Sequence, residues 1–169
     1  MIDPTINLLV ALAFAALFGN SALLKLRAPA IFAATLADYR VIPRASVPAM
    51  GVLVVALEAA LALGLLWPTT RAMSAAVGAG LLLVYAAAIA VNLVRGRREI
   101  DCGCSLQRRP IGRWMVIRNL SLAAALLVCA VPIVARALGV ADAATIGAGL
   151  LVLILLYTSV DHLFTWEHP

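Results

Sequence analysis

Charged residues are scarce in this sequence: Asp, Glu, Lys and Arg make up 12% of the 169 residues, where a soluble domain carries about a quarter. Hydrophobic residues reach 64% and mean hydropathy is +1.06. So little polar surface cannot hold this much Ala, Leu and Val in water, which excludes an ordinary soluble domain. Cysteine is scarce too. Three thiols, Cys102, Cys104 and Cys129, cannot build the disulfide framework of a small secreted domain. No basic segment precedes the first apolar run, Ile6–Leu24, where Asp3 is the only earlier charge. That run also exceeds the roughly 7–15 residues of a signal-peptide core, so it is expected to be a retained helix.

What the chain does have is long apolar runs. Ile6–Leu24, Val47–Trp67, Ala72–Val94, Trp114–Ala135 and Ala143–Phe164 are each long enough to cross about 30 Å of hydrocarbon at 1.5 Å per residue. Backbone amides in lipid must be satisfied within their own segment, and Ala and Leu dominate the runs, so all five are predicted helices. The expected fold is all-α: one polytopic membrane domain over residues 1–169, a bundle of about five transmembrane helices. Between the first two spans, Pro29 suits a first helical position, and Phe32, Leu36 and Tyr39 recur at i, i+4 and i+7. This predicts a short interfacial helix ending before Pro43. Gly78, Gly80, Gly147 and Gly149 allow helices to approach closely but define no dimer motif.

The net charge of +5 reflects topology rather than nucleic acid, because the basic residues lie between apolar runs. The first and third connections carry ten Lys and Arg, from Lys25 to Arg44 and from Arg95 to Arg113, whereas the other connections carry only Arg71 and Arg136. The positive-inside rule then places the odd connections and the C-terminus in the cytoplasm and the N-terminus outside.

One compact string could carry chemistry: Asp101-Cys102-Gly103-Cys104, in the loop from Arg95 to Arg113. Two thiols around one Gly can close a small ring, and a cramped disulfide is easily reduced. Six Arg in this loop favour thiolate, against Glu99 and Asp101. A redox-active dithiol at the membrane surface follows, with Cys102 or Cys104 attacking, the other resolving, and Asp101 handling protons. Loop cysteines without a redox role are the plain alternative. Two thiolates also suit Cu(I). Zinc fits less well, because His162 and His168 are remote at the C-terminus. Cys129, deep in a span, reads as an inert packing residue.

Polar residues within spans are costly and often functional. Glu58 lies 11 residues into the second span, roughly 17 Å deep, against roughly 6 Å for Arg118 in the fourth. That gap disfavours a Glu58–Arg118 pair and makes Tyr85, roughly 14 Å from the same face, the better partner for Glu58. Arg118 is expected to snorkel to the interface near Asn20, Asn92 and Asn119. Asn20, Lys25, Asn92, Arg118 and Asn119 share the half beneath the cysteine loop. A polar pocket there, with Glu58, Tyr85, Arg118 and Asn119 as candidate ligand-binding residues, would suit a small redox cofactor such as a quinone.

On these residues the chain resembles the methylamine utilisation protein MauE family, related to DoxX-like membrane proteins. The resemblance covers most of the length. It is carried by Lys25-Leu26, by Phe32 and the Tyr39–Pro43 stretch, by Glu58, by Arg97 through Cys104, and by Arg118-Asn119-Leu120. It departs after Cys104, where Ser105-Leu106 stands in place of the Phe-Gly found in many members.

The resemblance implies a bacterial inner-membrane maturation factor. It would work with a thioredoxin-like, MauD-like partner to form or protect disulfides in the small subunit of periplasmic methylamine dehydrogenase. Cys102 and Cys104 would be the redox pair, and Glu58, Arg118 and Asn119 matching polar positions without an assigned role. Since the client folds outside and the charge pattern places the cysteine loop inside, either a span is miscounted or the Arg-rich loop is exported against its charge bias, or the dithiol receives electrons at the inner face and relays them outward. A non-catalytic assembly scaffold and a Cu(I)-handling protein are the rival functions.

Overall fold

A computed structural model describes residues 1–97 and 111–166, the last seven of these by backbone alone. Among the described residues the chain is helical, its only β pairing being a single parallel bridge between Ile2 and Ile133. The helices are α1 (Pro4–Arg27), α2 (Pro29–Asp38), α3 (Val47–Leu66), α4 (Arg71–Val94), α5 (Arg113–Leu126) and α6 (Val140–Trp166). Five apolar helical stretches are long enough to cross a membrane: α1, Arg44–Leu66, α4, Arg113–Ala130 and the first part of α6. The protein is a polytopic, multi-pass membrane protein of the all-α class.

Local chemistry sets most helix ends. The Asp3 carboxylate caps α1 by accepting from the Thr5 amide at 2.8 Å, and Pro4 fills the first helical position. Lys25 and Arg27 lie in the last turn, where cations complement the helix dipole. The break to α2 is a single residue, Ala28, followed by Pro29. Arg71 closes the turn between α3 and α4 by donating to the Leu65 and Leu66 carbonyls at 3.0 and 3.4 Å. At the end of α4, Gly96 adopts a φ of +73°. Its amide bonds the Leu93 carbonyl and that of Arg97 bonds Asn92, the paired closure that a left-handed glycine permits. The cysteine loop therefore leaves α4 from a defined stop.

Among the boundaries that differ from the sequence expectation, two have a local cause in the chain. The fourth span, expected to reach Ala135, ends at Ala130 in a short 3-10 turn. Pro132 biases Val131 to extended geometry, and Val131 has ψ 137°. The extended chain then pairs with the N-terminus through Ile2 N to Pro132 O at 3.0 Å and Val134 N to Ile2 O at 2.9 Å. The last helix starts at Val140 rather than Ala143 because the Asp142 carboxylate reaches back to the Gly139 amide at 2.8 Å, capping the first turn.

The main core lies between α1, α3, α4 and α5, around Phe14, Phe18, Leu61, Leu65, Leu82 and Leu126. Gly78 is needed there: a Cβ would lie 2.9 Å from a Leu126 methyl and 3.1 Å from the Phe18 ring. Cys129 is buried in this core, its thiol directed at the Asn7 carbonyl. Only a small part of α6 is covered, with Gly149 set against Leu9 of α1.

On the N-terminal face the Arg136 guanidinium lies between two carboxylates. It bonds Asp3 at 2.9 and 3.0 Å and Asp142 at 2.6 and 2.8 Å. Bidentate contact with Asp142 and then Asp3 raises the Arg136 pKa further above its ordinary value. The Arg136 hydrogen bonds, aided by the Thr5 amide, hold the Asp3 carboxyl down at about 2. This clamp ties the starts of α1 and α6 to the extended segment between α5 and α6.

Candidate functional site

The opposite face holds most of the buried polar residues. Lys25, two residues before the end of α1, is 5% exposed, and Glu58 in the middle of α3 is 1% exposed. Lys25 Nζ donates to Glu58 Oε1 at 2.5 Å, Glu58 Oε2 at 2.7 Å and Ser21 Oγ at 2.7 Å, which engages all three of its hydrogens. The Ser21 hydroxyl in turn donates a hydrogen bond to Glu58 Oε1 at 3.0 Å, and Tyr85 Oη donates to the same oxygen at 2.8 Å. The ammonium also lies 5.3 Å from the centre of the Phe32 ring and 5.6 Å from that of Tyr85. An ion pair withdrawn from water is tolerable only with its remaining hydrogen-bonding capacity filled, and here it is. Four helices meet at this point: α1 through Ser21 and Lys25, α2 through Phe32, α3 through Glu58 and α4 through Tyr85.

The expected Tyr85–Glu58 hydrogen bond is present. The Lys25–Glu58 pair has no counterpart in the sequence reading, which measured depth from each helix end. The interlocking of the helices shows why that failed. Gly19 of α1 faces Ala62 of α3, so in the antiparallel pair Lys25 falls beside the level of residues 56–58. The first turns of α3 run on past the end of α1, alongside α2, where Gly51 packs against Phe32. A Lys four residues after a Ser near a helix end, and a lone Glu in the next span, were the available signals.

Beside the ion pair lies a half-open cavity of about 80 Å³ with apolar walls. Phe32, Thr35, Leu36 and Tyr39 of the interfacial helix line it, so the predicted i, i+4, i+7 stripe faces inward. Lys25, Tyr85, Ala88, Ile89 and Asn119 complete much of the wall. Asn119 is 3% exposed and donates to the Met115 carbonyl of its own helix at 2.7 Å. Asn92, fully buried, does the same to Ala88 at 3.0 Å and accepts from Arg97 at 3.2 Å. Arg118 is half-buried and does not line the cavity, and Asn20 is exposed, so the expected cluster of five polar residues is only partly assembled. Next to the cavity, Tyr39, Ile89 and Ile111 form a second small core, which anchors the C-terminal end of the cysteine loop. Asp101, Cys102 and Cys104 lie outside the described residues. Among those described, no group of His, Cys, Asp and Glu is arranged to hold a metal ion.

The family profile described as Methylamine utilisation protein MauE matches residues 3–132, a stretch that contains α1 to α5 and the whole of this site. The chain belongs to the MauE family. Similar proteins carrying the MauE name occur in Methylophilus methylotrophus, 37% identical over 94% of this chain and 86% of the relative. In Paracoccus denitrificans the identity is 36% over 77% of this chain and 71% of the relative. In Paracoccus versutus it is 38% over 95% and 88%. No solved structure matches the chain. The MauE match ends at Pro132, where α5 and its 3-10 extension give way to the extended segment.

Proposed function

We propose that this MauE-family protein is a membrane-embedded thiol–disulfide factor that supports disulfide formation in a protein of methylamine utilisation, the small subunit of methylamine dehydrogenase or a similar client. The observation that carries the reading is the Asp101-Cys102-Gly103-Cys104 string in a loop with six Arg, in a chain whose relatives bear the methylamine utilisation name. Both stems of that loop are pinned to one face: Arg97 through Asn92 at 3.2 Å, and Ile111 through its burial against Tyr39 and Ile89. A fixed base suits a dithiol that must meet a protein partner repeatedly.

In this mechanism one cysteine thiolate attacks a disulfide sulfur of a thioredoxin-like partner and releases the partner's second sulfur as thiolate. The remaining cysteine then attacks the mixed disulfide, leaving the loop oxidised and the partner reduced. Run in reverse, the same exchange oxidises a dithiol presented at the loop's own face and leaves the loop reduced. Arg side chains stabilise the thiolate and Asp101 handles protons. The protein is assigned to the bacterial inner membrane, with the cysteine loop on the cytoplasmic face by its charge pattern.

Single Cys102→Ser and Cys104→Ser variants, trapped with acid and resolved without reductant, are expected to accumulate mixed disulfides with the partner. If the double variant still supports client maturation, the dithiol mechanism is wrong and a scaffold role takes its place.

A further inference from the structure

We propose that the cavity between α1, α2, α4 and α5 is a binding site for a membrane-soluble quinone, entered from the bilayer. Two polar side chains in its wall have hydrogen-bonding capacity to spare. Among the described residues, Asn119 spends one amide hydrogen on Met115, while its side-chain oxygen and second hydrogen have no partner; the Thr35 hydroxyl has none either. Both residues are buried, at 3% and 7% exposure, and they come from different helices, α5 and α2. Buried polar groups normally find partners, and leaving one unmet is costly.

Three occupants can be compared. Water needs several polar partners per molecule. A cavity of about 80 Å³, room for more than one water, offers little beyond these two groups, because Lys25 and Glu58 are committed to each other. A lipid acyl chain would fit the apolar walls but would satisfy neither Asn119 nor Thr35. A flat ring with carbonyls on opposite edges meets both demands. Phe32, Tyr39 and Tyr85 supply aromatic walls, and the Asn119 amide and Thr35 hydroxyl supply donors from separate helices. The cavity is half-open, and its walls belong to spans and to the interfacial helix; in the proposed complex the isoprenoid tail leaves between helices.

This assignment deepens the thiol–disulfide reading by naming a lipid-soluble ligand class for the same face, but binding itself rests on the cavity and not on the cysteines. The test uses full-length protein in vesicles of dioleoylphosphatidylcholine, titrated with a ubiquinone bearing one isoprenoid unit, in the wild-type chain and in the Cys102→Ser/Cys104→Ser double variant. Saturable binding of equal affinity in both is expected. Asn119→Leu should weaken it about tenfold, the effect of losing one buried hydrogen bond, and Ala88→Phe, which fills the cavity, should abolish it. Thermal unfolding without ligand checks that each variant is folded, and Thr35→Val replaces Asn119→Leu if the latter is not. Uptake that never saturates, or equal affinity in the cavity variants, overturns the proposal. So does complete displacement of the quinone by added dioleoylphosphatidylglycerol, which would make the occupant a phospholipid. Intact binding beside a double cysteine variant that still matures its client would discard the redox reading and keep the site.

Discussion

Lys25 Nζ and Glu58 Oε1 are 2.5 Å apart across α1 and α3, in a setting where neither side chain is more than 5% exposed. Within a bilayer this pair acts as a polar peg. Its attraction is unscreened by water, and its hydrogen bonds to Ser21 and Tyr85 fix how α1, α3 and α4 rotate about their axes.

Removing one partner should therefore harm the fold more than removing both. Lys25→Met or Glu58→Gln alone is expected to destabilise by about 3–5 kcal/mol, since each leaves an unmatched buried group. The double variant should recover most of that loss. Thermal unfolding in detergent of the two singles and the double measures the coupling, and strictly additive losses would show that the pair contributes nothing as a pair.

Packing gives a second contrast within α4. Gly78→Ala must displace the Phe18 ring and a Leu126 methyl, whereas a Cβ on Gly80 meets nothing within 4 Å. The first change should cost about 1–3 kcal/mol by overpacking. The second should be neutral or stabilise by up to about 1 kcal/mol through helix propensity. Comparing their unfolding midpoints checks both.

Acid should loosen the N-terminal face selectively. The Asp3 carboxyl is held at about 2, below its ordinary 3.8, chiefly by its hydrogen bonds to Arg136. A depressed carboxyl pKa contributes stability that is present above the unfolded value and is lost as pH falls through the folded one, here between about 4 and about 2. Protection of the Ile2 and Val134 amides, taken relative to the intrinsic exchange rate at each pH, should fall across that window. In Asp3→Asn it should be lower at neutral pH, and the part of the pH response that belongs to Asp3 should be gone.

The charge pattern makes a topological prediction. A membrane-impermeant maleimide should label Cys102 and Cys104 in inverted vesicles and not in intact cells, with Cys129 unreactive in both because it is buried in the core. Labelling in intact cells would reverse the orientation and put the loop on the face where the client folds.

The sequence by itself determined the number of spans, the interfacial helix and its inward stripe of Phe32, Leu36 and Tyr39, and the burial of Cys129, because each follows from local hydropathy and periodicity. Tyr85 as the partner of Glu58 was also legible, since both depths count from the same face. Three things were decided only by the tertiary structure. The fourth span stops at Ala130 because Pro132 releases the chain to pair with Ile2, a contact between residues 130 positions apart in sequence. Arg136 joins Asp3 to Asp142, which are far apart in sequence. Lys25 meets Glu58 because α3 overhangs the end of α1, and the offset between two helices is set by how their side chains interlock, at Gly19 against Ala62 and Gly51 against Phe32. Hydropathy along one chain records how deep a residue lies from its own helix end; it carries no information about how far the neighbouring helix has slid.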